Sequence, residues 1–413
     1  MPSTAPASRR MVAGLAIACT LVLAAAMAGC GRTARGGPDG DRSVRIGFIG
    51  PLSGPQKDFG LGARNAVELA INQANQRAVV HGWRIELVAI DDEADPETGR
   101  KAAVTLAADP LVIGVVGTIN SGVAKLTAPM LGTRSIVQIS PCNTDPTLTL
   151  GPYPLDAPKR VFPNFFRIVV SSLGQGRFSA DYARDKLHFS SAATVNDQKG
   201  YGQGLVTVFE RQFRNRGGRI TSSNSIQVGQ RDFGELVARV VAERPDLVYY
   251  GGEYPEAAPL AAQLHKHGFA GPLIGGDGLY SDDFISSAGG PVDGSLATSI
   301  GAPVAKLASA RQFVADYGGA GFGDQGFSAF GAQAYDSANI LIQALAKVLP
   351  KADDVASSRR AVVDAVGRTA DFQGVTGKHT FDQFGDTLNT TLTMYKVRGG
   401  AWADVFIGAV GQQ

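Results

Sequence analysis

Between residues 44 and 274 the chain alternates short β-branched runs with segments of helical spacing, and that alternation leaves few folds open. Residues 44–50 (VRIGFIG), 84–90, 111–116 and 136–139 read as strands. Between the first two, residues 62–74 place Ala63, Ala66, Val67, Ala70, Ile71 and Ala74 on one helical face. Asp91-Asp92-Glu93-Ala94-Asp95-Pro96 opens a second helix with acids near its N-terminus, where the helix dipole favours them. The beat restarts after a loop. Residues 165–170 cross over, 192–195, 219–227, 247–250 and 273–274 are strands, and 174–186, 204–216, 233–243 and 257–267 are helices. Strands that alternate with helices demand parallel sheets covered on both faces. Two such runs, near 44–140 and 190–276, predict an α/β protein with two Rossmann-like, doubly wound lobes. A helical region at 308–370 and a strand pair, 391–397 with 402–407, complete the chain. No internal repeat of 20–50 residues is present.

The first 43 residues have a different character. Residues 11–29 contain no charge, follow Arg9 and Arg10, and end in Ala28-Gly29 directly before Cys30. A basic start, a short apolar run and a small-residue cut site describe a secretory signal. The cysteine after the cut resembles the lipobox of bacterial lipoproteins, with Met27 where Leu is usual. That resemblance implies a diacylglyceryl group on Cys30. A transmembrane anchor is the other reading of about 20 apolar residues; the Ala- and Gly-rich run and its small-residue end favour cleavage. Ser8-Arg9-Arg10 also suits a twin-arginine export signal. Residues 31–42 (GRTARGGPDGDR) form a polar, Gly-rich tether.

Arg9 and Arg10 are the only charged residues ahead of Cys30, so cleavage would bring 39 Lys and Arg level with 37 Asp and Glu. A neutral mature chain argues against nucleic acid or an anionic membrane surface as its main partner. Of three cysteines, Cys19 falls in the leader and Cys30 takes the lipid, which leaves Cys142 without a disulfide partner. No GxSxG, HExxH, CxxC or GxxxxGK[ST] motif is present. His265 and His267, two apart on a helix, face different ways and suit solvent better than a metal. The expectation is a non-enzyme with no cofactor or metal.

Three stretches carry a family resemblance: VRIGFIGPLSGPQKDFGLGARNAVELAINQAN, IELVAIDDEADPETG, and LVYYGGEYPEAAPL followed by LIGGDGLY. In order and spacing they resemble type I periplasmic solute-binding proteins, in particular the branched-chain amino-acid (Leu/Ile/Val) binding proteins of ABC transporters. The resemblance runs from about residue 44 to 407. It implies two lobes joined by three hinge segments, placed near Val170, Ser299 and Gly377. The expected division is 1–29 signal, 30–43 lipidated tether, 44–170 plus 299–376 first lobe, and 171–298 plus 377–413 second lobe.

Ligands in open α/β sheets sit beyond the carboxyl ends of strands, where helix N-termini point. Ser121 and Thr144 follow such strands, and their hydroxyls and neighbouring N–H groups can converge on an anion; alone, each would be an ordinary cap. The resemblance implies that Ser121, Cys142 and Thr144 hold an amino acid's α-carboxylate and α-ammonium, Cys142 through its carbonyl. Asp277, in Gly275-Gly276-Asp277-Gly278, reads on its own as a turn; the resemblance makes it the ammonium's partner, a shorter acid than the usual Glu. Phe59 and Tyr201 match aromatic walls of the pocket. Glu253 stands where an aromatic commonly follows two glycines, with Tyr254 displaced one place on. It is expected either to favour a cationic ligand group or to lie solvated at the cleft rim. The family's first-lobe cysteine pair is replaced by Ala94 and Asn120. The implied function is capture of an amino acid, by family default a branched-chain one, for delivery to an ABC permease and its ATPase. The protein is expected as an exported monomer, lipid-anchored on the outer face of the bacterial cell membrane. A sensor of the same fold, or a binder of short amides, urea or a cationic amine, is the alternative.

Overall fold

The computed structural model describes residues 42–411, so the signal, Cys30 and most of the tether lie outside the described residues. Five strands form the first sheet: β1 (Arg42–Gly50), β2 (Trp83–Asp91), β3 (Val112–Gly117), β4 (Val137–Ser140) and β5 (Phe165–Arg167). The second lobe contributes β6 (Ser191–Asn196), β7 (Arg219–Ser225), β8 (Leu247–Gly251), β9 (Leu273–Gly275) and β10 (Leu296–Ile300). A small hairpin, β11 (Phe372–Gly374) with β12 (Gly377–His379), precedes the closing pair β13 (Thr391–Arg398) and β14 (Ala401–Ala409).

The two large sheets repeat one plan. The first runs β2-β1-β3-β4-β5, and the second contains β7-β6-β8-β9-β10, the same order in the second run of strands. Pairings β1–β3, β3–β4 and β4–β5 are parallel, as are β6–β7, β6–β8, β8–β9 and β9–β10. β13 and β14 then extend the second sheet in antiparallel fashion beyond β10. Parallel strands covered on both faces must be apolar throughout. β3 (VIGVVG) and β8 (LVYYG) are accordingly buried at every residue. The helix Lys57–Gln76 buries the whole predicted stripe, Ala63, Ala66, Val67, Ala70, Ile71 and Ala74.

Glycine is needed where backbones meet near strand ends. A Cβ on Gly60 would stand 1.8 Å from the Pro51 carbonyl oxygen. Gly202 and Gly251 face each other, a Cβ on either coming within 2.4 Å of the other's carbonyl oxygen. These approaches seat Phe59, Tyr201 and Glu253 close to their sheets.

The chain's path between lobes differs in detail from the expected hinges. β10, missed as a strand, carries Ser299 inside the second sheet, paired with Thr393. Its sequence, LATSI, is short and half polar, a weak strand signal. Residues 377–387 also stay with the first lobe. Arg167, wholly buried, donates from Nε to Asp386 at 2.6 Å and from Nη2 to the Thr149 hydroxyl at 2.6 Å. It also donates to the Asp145 carbonyl at 2.7 Å. One guanidinium thereby fixes the loop after β4 to the late segment, and the chain enters the second sheet only at Thr391.

Candidate functional site

Order 2-1-3-4-5 places the topological switch between the first and third strands of each run, the usual ligand position in such sheets. A cavity lies where the two sets of carboxyl ends face each other. Gln56 and Phe59 follow β1, Ile119, Asn120 and Ser121 follow β3, and Cys142 and Thr144 follow β4. Tyr201 follows β6, Glu253 follows β8, and Asp277 and Gly278 follow β9; Phe330 completes the wall.

One end suits an anion. Ser121 opens the helix Ser121–Gly132, whose first N–H groups have no intrahelical acceptor. Its hydroxyl oxygen accepts from the Asp145 N–H at 3.3 Å. Thr144 is anchored by Ser172, which donates from its N–H to the Thr144 carbonyl at 2.8 Å and sets its hydroxyl 3.2 Å from that of Thr144.

The other end suits a cation. Asp277 is 2 % exposed, and its Oδ1 accepts from the Tyr201 hydroxyl at 2.7 Å. The same hydroxyl accepts from the Gly278 N–H at 2.9 Å, which fixes its direction. Asp277 Oδ2 is buried and has no partner. Burial pushes this carboxyl up to about 6, despite the opposing hydrogen bond from the Tyr201 hydroxyl. Cys142 is a free, buried thiol, raised well above its ordinary range by burial and by nearby Asp277 and Glu253, so it stays protonated and inert.

Glu253 corrects the expectation of an exposed rim acid or an unpaired second negative charge. It is 7 % exposed, and both its oxygens are engaged. Oε1 accepts from Asn120 Nδ2 at 2.5 Å, and Oε2 accepts from Gln56 Nε2 and Lys199 Nζ, both at 2.8 Å. Burial opposes the charge on Lys199, but Glu253, with Asp197 and Glu256, outweighs it and raises that ammonium. Glu253 thus ties residues beyond β1 and β3 to its own lobe. Tyr254 is not among the lining residues. It stands behind Phe59, ring edge to face at 5.3 Å, with its hydroxyl donating to the Pro55 carbonyl. The helix Tyr254–Lys266 begins there, so its first side chain turns away from the cavity.

Ser121, Cys142, Thr144, Asp277, Tyr201, Phe59 and Glu253 therefore meet in one cavity. Gln56, Ile119, Phe330, Lys199 and the amide of Asn120 were not identified from sequence. Gln56, Asn120 and Lys199, each immediately before a helix that follows a strand, carried a local signal. Phe330 packs on Phe59 at 5.0 Å from 271 residues further along the chain, which no local pattern reveals. Ala94 has its N–H donated to Asp92, and no disulfide joins the described cysteine to anything. Among the described residues no helix is long and apolar enough to cross a membrane, and no three His, Cys, Asp or Glu side chains cluster as a metal site.

A periplasmic binding protein family model matches residues 43–401. The Leu/Ile/Val-binding protein homolog 2 of Brucella abortus (strain 2308) is 29 % identical over 371 residues, 90 % of this chain and 94 % of that one. The Leu/Ile/Val-binding protein BraC3 of Rhizobium johnstonii is 28 % identical over 365 residues, 86 % of this chain and 92 % of that one. Among solved structures, the branched-chain amino-acid transporter substrate-binding protein LivJ of Streptococcus pneumoniae, in complex with isoleucine, superposes with a TM-score of 0.78. It is 23 % identical, with 89 % of this chain and 99 % of that one covered, a likeness of fold.

Proposed function

Because the chain belongs to the periplasmic binding protein family, whose members are exported binding proteins and not enzymes, we propose that it captures an amino acid for an ABC importer. The α-carboxylate lies against Ser121 and Thr144, and the α-ammonium against Asp277 Oδ2 and the Cys142 carbonyl. Phe59, Tyr201 and Phe330 cover the ligand. The observation that carries this reading is Asp277 Oδ2, a buried, partnerless carboxylate oxygen sharing a cavity with a helix N-terminus. One end of the cavity is short of positive charge and the other offers donors, which is the complement of a zwitterion.

Capture proceeds by closure. Glu253 with Gln56 and Asn120, and Tyr254 with Phe59, are contacts across the cleft, and a ligand held by both lobes shifts the population toward the closed form. The closed protein then docks on a permease whose ATPase drives uptake, and a lipid on Cys30 keeps it beside that permease. The relatives named for leucine, isoleucine and valine support the amino-acid class. Thermal-shift titration of the purified chain with the standard amino acids tests it: at least one should stabilise the protein in a saturable way, and no response to any of them overturns the reading. For the anchor, cells fed a labelled fatty acid should label the native chain and not its Cys30→Ala variant.

A further inference from the structure

Besides the residues assigned to the zwitterion, the cavity is lined by two aromatic rings, Phe59 and Phe330, and by three polar side chains, Gln56, Asn120 and Glu253. The polar side chains are nearly self-satisfied. Asn120 spends one amide hydrogen on Gln56 Oε1 at 2.8 Å and the other on Glu253 Oε1 at 2.5 Å. Gln56 both accepts from Asn120 and donates to Glu253, whose charge Lys199 balances. One atom is left over. Asn120 Oδ1 is buried without a partner, on a residue 8 % exposed. The amide cannot be reversed to relieve it, since that would set its oxygen against the Glu253 carboxylate and the Gln56 carbonyl oxygen. Among the side chains of the residues that line the cavity, the two polar atoms buried without partners are Asn120 Oδ1 and Asp277 Oδ2, and both are acceptors.

Resting on the amino-acid reading, we infer that the ligand brings a second donor: its side chain is small, neutral and bears a hydroxyl or carboxamide that donates to Asn120 Oδ1. An all-carbon branched side chain would leave that buried oxygen with nothing to accept, whereas a hydroxyl or carboxamide would satisfy it, the difference by which hydrogen-bonding sites reject analogues lacking the group. A cationic side chain finds no free carboxylate, because the α-ammonium uses Asp277 and Glu253 is occupied by Lys199 and two amides.

Isothermal titration of the intact chain with serine, threonine, asparagine, glutamine, leucine, isoleucine, valine and lysine decides the matter. The tightest hydroxyl or carboxamide ligand should bind roughly tenfold or more tighter than any branched-chain amino acid. In Asn120→Leu that order should collapse or reverse. Leucine, isoleucine, valine or lysine binding the native chain as tightly as the polar set overturns the inference while amino-acid capture stands. Silence from all eight overturns both. The native-chain panel decides even where Asn120→Leu fails to fold.

Discussion

Asp277 and Glu253 occupy equivalent places, each just beyond a strand of the second sheet, and both carboxylates are buried in one cavity, yet their surroundings are opposite in kind. Around Glu253 the protein has supplied an ammonium and two amide donors. Around Asp277 it has supplied one hydroxyl and left Oδ2 bare, and burial holds the carboxyl near 6. A buried charge that is fully partnered is a fixture, and one that is half partnered is a place for something else to bind. The contrast assigns Glu253 to joining the lobes and Asp277 to holding ligand, although sequence offers the two as similar acids.

The sharpest way to break the contrast is Asp277→Asn. Removing the charge that faces the ligand ammonium should weaken binding by about 2–5 kcal/mol, which is thirtyfold or more. Without ligand the same variant should melt higher than the native chain, because a poorly partnered buried charge has gone. Titration calorimetry and a ligand-free melt read the two effects separately. Binding left within threefold of native would remove Asp277 from the site.

Glu253→Ala should do the reverse, costing stability first. It strands Gln56 Nε2 and one hydrogen of Asn120 inside the cavity and strips Lys199 of its counter-ion. Each stranded group costs up to its desolvation, but the Lys199 side chain is 34 % exposed and can turn to water. The net loss should therefore be about 1–3 kcal/mol by urea unfolding. An unchanged midpoint would show that these cross-cleft bonds contribute nothing in solution.

How much of this was written in the sequence follows from distance along the chain. Strand–helix alternation is local, so the sheets, the Ala63–Ala74 stripe and the turns bearing Ser121, Thr144 and Asp277 could be read from pattern. Partners far apart in sequence, whether across the lobes or within one, are not local. Gln56 and Glu253 are 197 residues apart, and Arg167 and Asp386 are 219 apart. Nothing in YYGGEYPE distinguishes an acid that will meet Lys199 and two amides from one solvated at a rim. Tyr254 went astray for a related reason: one position along a helix start is about 100° of rotation, enough to turn a side chain from the cavity to the layer behind it.

The last and smallest effect is on pH. In the folded chain Asp277 titrates near 6, above its ordinary 3.8, because burial disfavours the charged form. The folded state therefore holds this proton more tightly than the unfolded state. Its contribution to stability is complete below 3.8 and is lost as pH rises through about 6. Asp92, pushed up to about 7 by burial, acts with the same sign, as does Asp197, raised by burial and by Glu253. Ligand binding has the opposite sign, since an ammonium needs the ionised carboxylate. Between pH 7 and pH 5 the dissociation constant should rise about tenfold, or about 1.4 kcal/mol, while ligand-free stability from these acids increases. Asp277→Asn should flatten the binding profile but leave the Asp92 and Asp197 part of the stability profile in place. A native dissociation constant that does not change across this range would mean that Asp277 is already ionised at pH 5, and that its bare oxygen is better partnered in solution than its surroundings imply.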